Sequence, residues 1–214
     1  MHDDQIDIDR DTVELLLADQ CPHLGTGKVL HLHGAGTVNA IFRIGDDYAA
    51  RFPLRGDDPA RVGELLGEEQ RAAAEFAEAV APMAAPRPVA IGEPGRGYPL
   101  PWSMQTWVPG ATATVNESER VASDLASAIA RIRGHPTRDR TFSGRGRGGD
   151  LRSHDDWVDE CLDRSAGLID IDAARRLWGD LRDLPRSQPD MMTHGDLIPG
   201  NVLTHNGRLV GLLA

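Results

Sequence analysis

The first part of the chain alternates between helical and extended patterns of apolar residues. Residues 12–21 place apolar side chains at helical spacing, and we predict a helix capped by Asp11. Three short alternating runs follow between residues 28 and 55, and the segment 45–47 (GDD) joins the last two as a hairpin turn would. The pattern therefore predicts one helix followed by an antiparallel sheet.

The next segment changes from a long helical pattern to short strands. Residues 59–82 are rich in Ala and Glu, which favour helices, and this second helix is predicted to end at Pro82. Pro and Gly then interrupt the chain up to Gly110 and leave two short apolar runs, at residues 88–91 and 102–108. We predict two further strands there.

The second half of the chain is mainly helical in pattern. Asn116 begins a capping-box spacing before a third helix, and two more helical patterns cover residues 154–167 and 172–183. Two short apolar runs near the end flank Asn206 and Gly207, a pair typical of hairpin turns. We therefore predict several helices followed by a terminal hairpin.

The order of these elements predicts the fold class. A sheet with an inserted helix precedes several helices and a final hairpin, which indicates an α+β protein with two lobes. We place the first lobe at residues 1–107 and the second at residues 108–214.

Composition and charge narrow the function classes. The 214 residues are 40% hydrophobic and 26% charged, an ordinary balance for a globular protein. The net charge of −10 argues against a nucleic-acid partner and is compatible with a cationic small molecule. Two cysteines are too few for a disulfide scaffold, and no apolar run is long enough to span a membrane. We expect a cytoplasmic protein that binds neither nucleic acid nor membranes.

The segment 191–203 (MMTHGDLIPGNVL) carries the strongest chemical signal. Asp196 and Asn201 have the spacing of the Asp and Asn in the protein-kinase catalytic loop, H-R-D-L-x-x-x-N, with Gly195 in place of the Arg. In that loop the Asp accepts the proton of an attacking hydroxyl, and the Asn holds magnesium at the nucleotide phosphates. An Asp that caps a turn and an Asn in a hairpin strand would give the same spacing. The apolar flanks and the hairpin that follows favour the catalytic loop.

Several segments, in the same order, resemble the aminoglycoside phosphotransferase family. Residues 193–203 resemble its catalytic loop, residues 34–53 its first hairpin, residues 67–77 its Glu-bearing helix, and residues 89–110 the strands that lead to its hinge. The resemblance covers roughly residues 10–214. It implies a bilobal protein-kinase-like fold, with a small antiparallel-sheet N-lobe and a mainly helical, incomplete C-lobe. It also implies transfer of the γ-phosphoryl group of ATP or GTP to a hydroxyl of a small polar molecule.

The resemblance also implies roles for two charged residues. Arg51 stands where the family has a Lys or Arg that binds nucleotide phosphates, and a guanidinium suits this role because it binds two phosphate oxygens at once. Glu69 stands at the helix position that would form an ion pair with this Arg. Other glutamates lie nearby, so the pair could involve a neighbouring residue, and Arg51 could instead be a solvent-exposed cation.

A nucleotide-covering loop and a hinge are implied as well. Gly34, Gly36 and Asn39 occupy the positions of a Gly-rich loop over the phosphates, although Asn39 replaces the third Gly, and a simple hairpin turn is the alternative. The hinge would be the end of the strand near Trp107, where backbone groups from Gln105 to Trp107 would contact the purine.

The end of the chain differs from the family at one position. The family has a second magnesium-binding Asp after the catalytic hairpin, and an ungapped alignment places Ala214 there. Asn201 would then be the main protein ligand of Mg²⁺. Two explanations are open: a longer active kinase, or a chain that ends here and is a catalytically impaired nucleotide-binding protein. The apolar final strand favours the first.

The acceptor is open at this stage. In the family, the residues that bind it lie mostly beyond the segment corresponding to residue 214. An aminoglycoside, a macrolide, choline, a sugar amine or homoserine would all supply the required hydroxyl.

Overall fold

The computed structural model describes residues 6–24, 27–32, 38–56, 58–114, 116–141, 148–185 and 188–213. Within these ranges the chain forms five α-helices and eight β-strands. The helices are α1 (Arg10–Gln20), α2 (Pro59–Ala79), α3 (Glu119–Gly134), α4 (Asp155–Arg164) and α5 (Ile171–Leu181). The strands are β1 (Val29–His31), β2 (Asn39–Ile44), β3 (Tyr48–Pro53), β4 (Pro88–Gly92), β5 (Trp102–Thr106), β6 (Ala111–Thr112), β7 (Val202–His205) and β8 (Arg208–Leu212).

These elements group into two compact units. One unit combines Met1–Ala128 with Ile198–Ala214, and the other is Ile129–Leu197. The lobes proposed from the sequence, residues 1–107 and 108–214, stay a prediction about how the chain is organised.

A five-stranded antiparallel sheet, in the order β1-β2-β3-β5-β4, forms the centre of the first unit. Residues 45–47 connect β2 to β3, and Gly45 has a φ of 57°, which glycine adopts without strain. The register pairs Arg51 with Ile41 on one side and with Ser103 on the other. The predicted hairpin and the two later strands are confirmed.

Strand alternation gives this sheet two different faces. Residues directly opposite each other in neighbouring strands point to the same side. Phe42, Ala50 and Met104 therefore share one face, and all three are buried. The other face, which we call the polar face, carries Asn39, Arg43, Arg51, Ser103 and Gln105.

The hydrophobic core lies on the face opposite the polar face and includes α1. Val13 and Leu16 of α1 are completely buried in it. The ring of Phe52 stacks on Trp102 with centroids 5.1 Å apart and meets Tyr98 edge-on at 5.3 Å. Burial raises the pKa of Tyr98, whose hydroxyl donates to the carbonyl of Pro53 at 2.7 Å. Aromatic packing on the core face of the sheet, opposite the polar face, thus holds β3 and β5 together.

A second antiparallel sheet, in the order β6-β7-β8, also belongs to the first unit. Its β7–β8 hairpin turns at Asn206 and Gly207, which have φ angles of 50° and 68°. Two successive positive φ values are those of a type I′ turn, the turn that Asn-Gly favours. The predicted terminal hairpin is confirmed.

In the second unit, α4 and α5 pack against each other at their polar edges. The indole N–H of Trp178 donates to Asp155 Oδ1 at 2.8 Å, and Arg182 forms an ion pair with the same carboxylate. The two predicted helices are confirmed. The carboxylate of Asp155 in α4 binds Trp178 in α5 and Arg182 directly after α5.

Two predicted helix caps are wrong. The carboxylate of Asp9, and not that of Asp11, accepts the backbone N–H of Thr12, so α1 begins two residues earlier. At α3 the hydroxyl of Ser118 accepts the N–H of Val121 at 3.4 Å, two residues after the predicted cap at Asn116. Several Asp, Asn and Ser residues compete near each helix start, and the surrounding chain decides which one caps it.

Candidate functional site

Asp196 lies in a loop of the second unit that a glycine shapes. Gly195 has a φ of 78°, and a side chain at that position would strain the backbone. The backbone N–H of Asp196 donates to Nδ1 of His194 at 3.3 Å. The side chain of Asp196 is exposed. The loop therefore bends sharply and presents a carboxylate at the surface.

Asn201 lies at the end of a 3₁₀ turn, Pro199–Asn201, in the first unit. Its backbone N–H donates to Ile198 and its carbonyl accepts the N–H of Leu213, both at 2.9 Å. These bonds hold Asn201 between the start of β7 and the end of β8. Ala214, which the sequence analysis aligned with a second magnesium-binding Asp, lies outside the described residues.

Hydrogen bonds connect the β7–β8 hairpin, which follows Asn201, to α3 and its N-terminal cap. Arg208 donates two hydrogen bonds to Asp124, at 2.6 and 2.8 Å, and the N–H of Leu209 donates to the same carboxylate at 3.2 Å. Ser118, which caps α3, also donates its hydroxyl to the carbonyl of Gly207 at 2.9 Å. The sequence analysis missed this connection, because Asp124 and Arg208 are far apart along the chain and neither pattern points to the other.

The contribution of Asp124 to the free energy of unfolding should depend on pH. The hydrogen bond from Arg208 lowers the pKa of Asp124 below its ordinary value of 3.8, so its stabilising contribution is complete above that pH and disappears as the pH falls through the folded-state pKa. We expect Asp124→Asn to reduce the free energy of unfolding at pH 7 and the difference from the wild type to shrink below pH 3.8. Urea unfolding at pH 7 and pH 3 would measure this.

Asp180→Asn is the matched control for that experiment, since Asp180 is exposed on α5 and forms no ion pair within the described residues. The interpretation is wrong if both variants show the same dependence on pH.

Arg51 occupies the middle of the polar face and is half-buried. Glu69 lies on α2 and is exposed, and no ion pair joins these two residues, both of which the structure describes. Asn39 opens β2 on the same face as Arg51, whereas Gly34 and Gly36 lie outside the described residues. The structure thus brings Arg51 and Asn39 to one face of the sheet and shows no ion pair between Glu69 and Arg51.

The predicted hinge residues lie at the end of β5. Gln105 is half-buried on the polar face. The backbone N–H of Trp107 donates to the carbonyl of Asp47 at 2.7 Å, and that of Thr106 donates to the carbonyl of Arg87 at 2.9 Å. Two of the backbone donors in the predicted hinge are therefore occupied by the protein itself.

Arg43 is a polar-face residue that the sequence analysis missed. Its guanidinium carbon lies 4.8 Å from the centre of the Trp107 ring, and one terminal nitrogen donates to Asp46 at 2.6 Å. The Nε of Arg43 is buried and has no hydrogen-bond partner. Strand alternation could have assigned Arg43 to the face of Arg51, but the contact with Trp107 depends on how the chain folds back after β5.

A cavity of about 660 Å³ opens in the second unit beside Asp196. The C-terminal half of α3 lines one side, and residues 189–195 with Leu197 line the other. Arg133 faces this cavity and contacts the sulfur of Met191 at 3.3 Å. The cavity borders both chain neighbours of Asp196 and is large enough for a small molecule.

The sequence implies Asn201 as the main protein ligand of Mg²⁺. In the described ranges, no cluster of three or more His, Cys, Asp or Glu side chains could hold a metal ion. Mg²⁺ is often held by one or two protein oxygens, nucleotide phosphates and water, and the amide oxygen of Asn201 is a suitable ligand of this kind. The residues present therefore fit Mg²⁺ that arrives with a nucleotide.

Comparison with known proteins establishes the family. The model of the phosphotransferase enzyme family matches residues 29–213, which include β1 to β8 and the loop with Asp196 and Asn201. The chain belongs to this family. The predicted resemblance is thereby confirmed, and the chain falls in the class of kinase-like phosphotransferases. No curated protein sequence matches the chain closely enough to count as a relative.

Solved structures with the same fold include aminoglycoside and macrolide phosphotransferases. The GDP complex of aminoglycoside 2'-phosphotransferase-IIIa has a TM-score of 0.73 and 21% identity, over 97% of this chain and 72% of that chain. Macrolide 2'-phosphotransferase MphH from Brachybacterium faecium has a TM-score of 0.63 and 21% identity, over 95% and 71%. APH(3'')-Id from Streptomyces rimosus, solved with ADP and streptomycin, has a TM-score of 0.60 and 16% identity, over 95% and 74%.

These matches confirm the predicted fold class for this phosphotransferase, which is α+β and protein-kinase-like. Over the described part of the chain, no helix combines the length and the apolar character that a membrane span requires.

Proposed function

We propose that this chain transfers the γ-phosphoryl group of a nucleoside triphosphate to a hydroxyl of a small polar molecule. The acceptor oxygen attacks the γ-phosphorus, the bond to the bridging oxygen breaks, and the nucleoside diphosphate leaves. Asp196 orients the hydroxyl and takes its proton. Arg51 binds phosphate oxygens. Asn201 would hold Mg²⁺, which would supply positive charge to neutralise the phosphates.

One observation carries this proposal. The family match includes Asp196 and Asn201 at the spacing of the kinase catalytic loop. Gly195, which has a positive φ, bends this loop, and the hairpin that follows is hydrogen-bonded to α3. An Asp that caps a turn would also explain the spacing of the two residues. That alternative would not require the hydrogen-bonded hairpin or the kinase-like fold in which the loop lies. The structures of relatives solved with GDP or ADP support a nucleotide as the donor.

The acceptor is proposed only as a class. Relatives with this fold were solved with streptomycin or are named as macrolide phosphotransferases. The cavity beside Asp196 has both apolar and charged lining residues, which suits a small molecule with hydroxyl groups. The net charge of −10 is compatible with a cationic acceptor.

Phosphate transfer can be tested directly with γ-labelled ATP or GTP and MgCl₂. The purified chain is incubated with an aminoglycoside, a macrolide, choline, a sugar amine and homoserine in separate reactions. We expect labelled product with at least one acceptor. Nucleotide binding with no transfer to any acceptor would contradict the proposal and favour the second candidate, a catalytically impaired nucleotide-binding protein, which the alignment of Ala214 with an acidic position supports.

Arg51 should contribute strongly to nucleotide affinity. We expect Arg51→Met to weaken ATP or GTP binding about ten- to a hundredfold, because hydrogen bonds to charged groups contribute about 1.5–3 kcal/mol. Isothermal titration calorimetry measures the change. Arg55→Met is the matched control, since Arg55 is exposed just after β3 and should leave the affinity unchanged. Equal affinity in the two variants would rule out phosphate binding by Arg51.

The role proposed for Glu69 depends on a bound nucleotide. Because no ion pair joins Glu69 to Arg51 in the structure, we propose that the pair forms only when phosphates draw the guanidinium into the site. The Gly-rich loop at Gly34 and Gly36, with Asn39, would cover the same phosphates.

A further inference from the structure

A second cavity, of about 290 Å³, opens in the first unit between α1 and the edge strand β1. The start of β1 and the end of β2 form the wall opposite α1. Ile44 lies two residues after Phe42 in β2 and is buried like it, so this cavity is on the core side of the sheet. It is therefore separated by the sheet from the polar face that carries Arg51.

The α1 wall of this cavity is one face of the helix. Glu14, Leu17, Ala18 and Cys21 line it, and residues three, four and seven positions apart share a helical face. Leu17 is half-buried, and Cys21 is 5% exposed. Burial raises the pKa of Cys21, so its thiol stays protonated at neutral pH. Below Glu14 this wall is therefore uncharged and mainly apolar.

The opposite wall is also apolar, and backbone contacts fix its position. Val29 and Ile44 lie directly opposite each other in β1 and β2, and each is 3% exposed. Gly27 extends this wall where two backbone segments approach closely, since a Cβ on Gly27 would lie 2.8 Å from Cα of Gly45. The N–H of Gly45 donates to the carbonyl of Lys28 at 3.0 Å. The cavity is thus preformed, as small-molecule sites usually are.

Two residues that line the cavity carry charge, Glu14 and Lys28. Glu14 forms an ion pair with Arg10 at 3.4 Å, so its charge is compensated. Lys28 is the only lysine of the sequence, and within the described ranges no ion pair joins it to a carboxylate. The cavity therefore combines apolar walls with one uncompensated positive charge.

We infer that this cavity binds a small monocarboxylate with an apolar tail, of the class of medium-chain fatty acids. The tail packs between the two apolar walls, and the carboxylate accepts hydrogen bonds from the ammonium of Lys28. A phosphate monoester fits less well, because it carries close to two negative charges and Lys28 supplies one positive charge beside Glu14. The volume of 290 Å³ corresponds to about ten water molecules, which suits a short chain and excludes a long one.

Calorimetric titration of the 214-residue chain with sodium hexanoate, octanoate and decanoate tests the apolar part of the site. We expect affinity to rise about fourfold for each added methylene until the tail fills the cavity. Ala18→Leu occupies the cavity from an exposed position of α1 and should weaken octanoate binding about tenfold or more. Ala126→Leu is the matched control, since Ala126 is exposed on α3 and should keep the wild-type affinity.

Lys28→Met tests the charge, because Met keeps an unbranched side chain and lacks the ammonium. We expect octanoate to bind this variant about two- to fivefold more weakly, the effect of an exposed ion pair. The uncharged 1-octanol should bind the variant and the wild type equally. Arg120→Met is the control, since Arg120 is an exposed cation of α3 and should leave octanoate affinity unchanged. Thermal unfolding of each variant checks that the fold is retained.

The single lysine also allows a direct observation of the contact. Reductive ¹³C-methylation labels the amine of Lys28 and the N-terminal amine and keeps their charge. Loss of one signal in Lys28→Met assigns it. We expect octanoate to shift the Lys28 signal, and acetate at the same concentration, which lacks the tail, to leave it unchanged.

The site lies across the sheet from Arg51, so these measurements do not depend on the proposed phosphotransfer. Weaker octanoate binding in both Ala18→Leu and Lys28→Met, with the two controls unchanged, supports the inference. Failure of octanoate to bind the wild type, or equal affinity in the wild type and these two variants, would overturn it.

Discussion

Replacement of Asp196 by Asn should reduce phosphate transfer by about 10²- to 10⁴-fold and leave nucleotide affinity unchanged. The amide has the size of the carboxylate but cannot accept the proton of the attacking hydroxyl, and a positioned general base contributes an effect of this size. Because Asp196 acts on the acceptor, its loss should appear in kcat, while the dissociation constant of ADP stays at the wild-type value. Steady-state kinetics with the best acceptor, together with ADP titration, would measure both.

The control is Asp156→Asn, an exposed Asp in the first turn of α4. Its kcat should match the wild type. A decrease of less than threefold in Asp196→Asn would contradict the role of Asp196 as the base. A parallel loss of ADP affinity would instead indicate that the loop supports the nucleotide site.

Replacement of Trp102 by Ala should lower the free energy of unfolding by about 3–5 kcal/mol, the usual cost of deleting a buried aromatic ring. Trp102 is completely buried and stacks on Phe52. Its indole also covers Gly92, where a Cβ would lie 2.0 Å from Cε2 of the ring, so the neighbouring strand contains a glycine to make room. The deletion leaves a cavity between β4 and β5 that the backbone cannot close without moving.

Trp157 provides a matched control, because it is the same residue type with 59% of its surface exposed. Trp157→Ala should change the free energy of unfolding by less than about 0.5 kcal/mol. Trp102→Phe should cost less than Trp102→Ala, because the buried indole N–H has no hydrogen-bond partner and its removal leaves no acceptor unpaired. Chemical denaturation of the three variants tests this, and equal losses for the two tryptophans would contradict the packing argument.

Local patterns were enough to predict most elements of this phosphotransferase. Helical periodicity, the Asn206-Gly207 pair and the segment 45–47 act over a few residues, so the helices and both hairpins were predicted with nearly correct limits. The helix caps were missed by two residues, since Asp9 and Asp11 compete for the same role and only the packed chain chooses between them.

The candidate site was predictable only in part. The spacing of Asp196 and Asn201 and the family resemblance come from the sequence, because a catalytic loop is a short contiguous segment. The connection of Asp124 to Arg208 spans 84 positions, and no local pattern reports such a contact. The same is true of Arg43 over Trp107, which requires the chain to return past the β2–β3 turn.

The amino-acid sequence by itself determined the order of helices and strands, the two tight turns and the residue types of the catalytic loop. These features depend on backbone propensities and on spacing within a few residues. Only the tertiary structure decided that Arg51 and Gln105 share one sheet face, that the Trp107 N–H is bonded to Asp47, and that no ion pair joins Glu69 to Arg51. Those outcomes depend on strand register and on packing between distant segments, which set distances that no stretch of sequence contains.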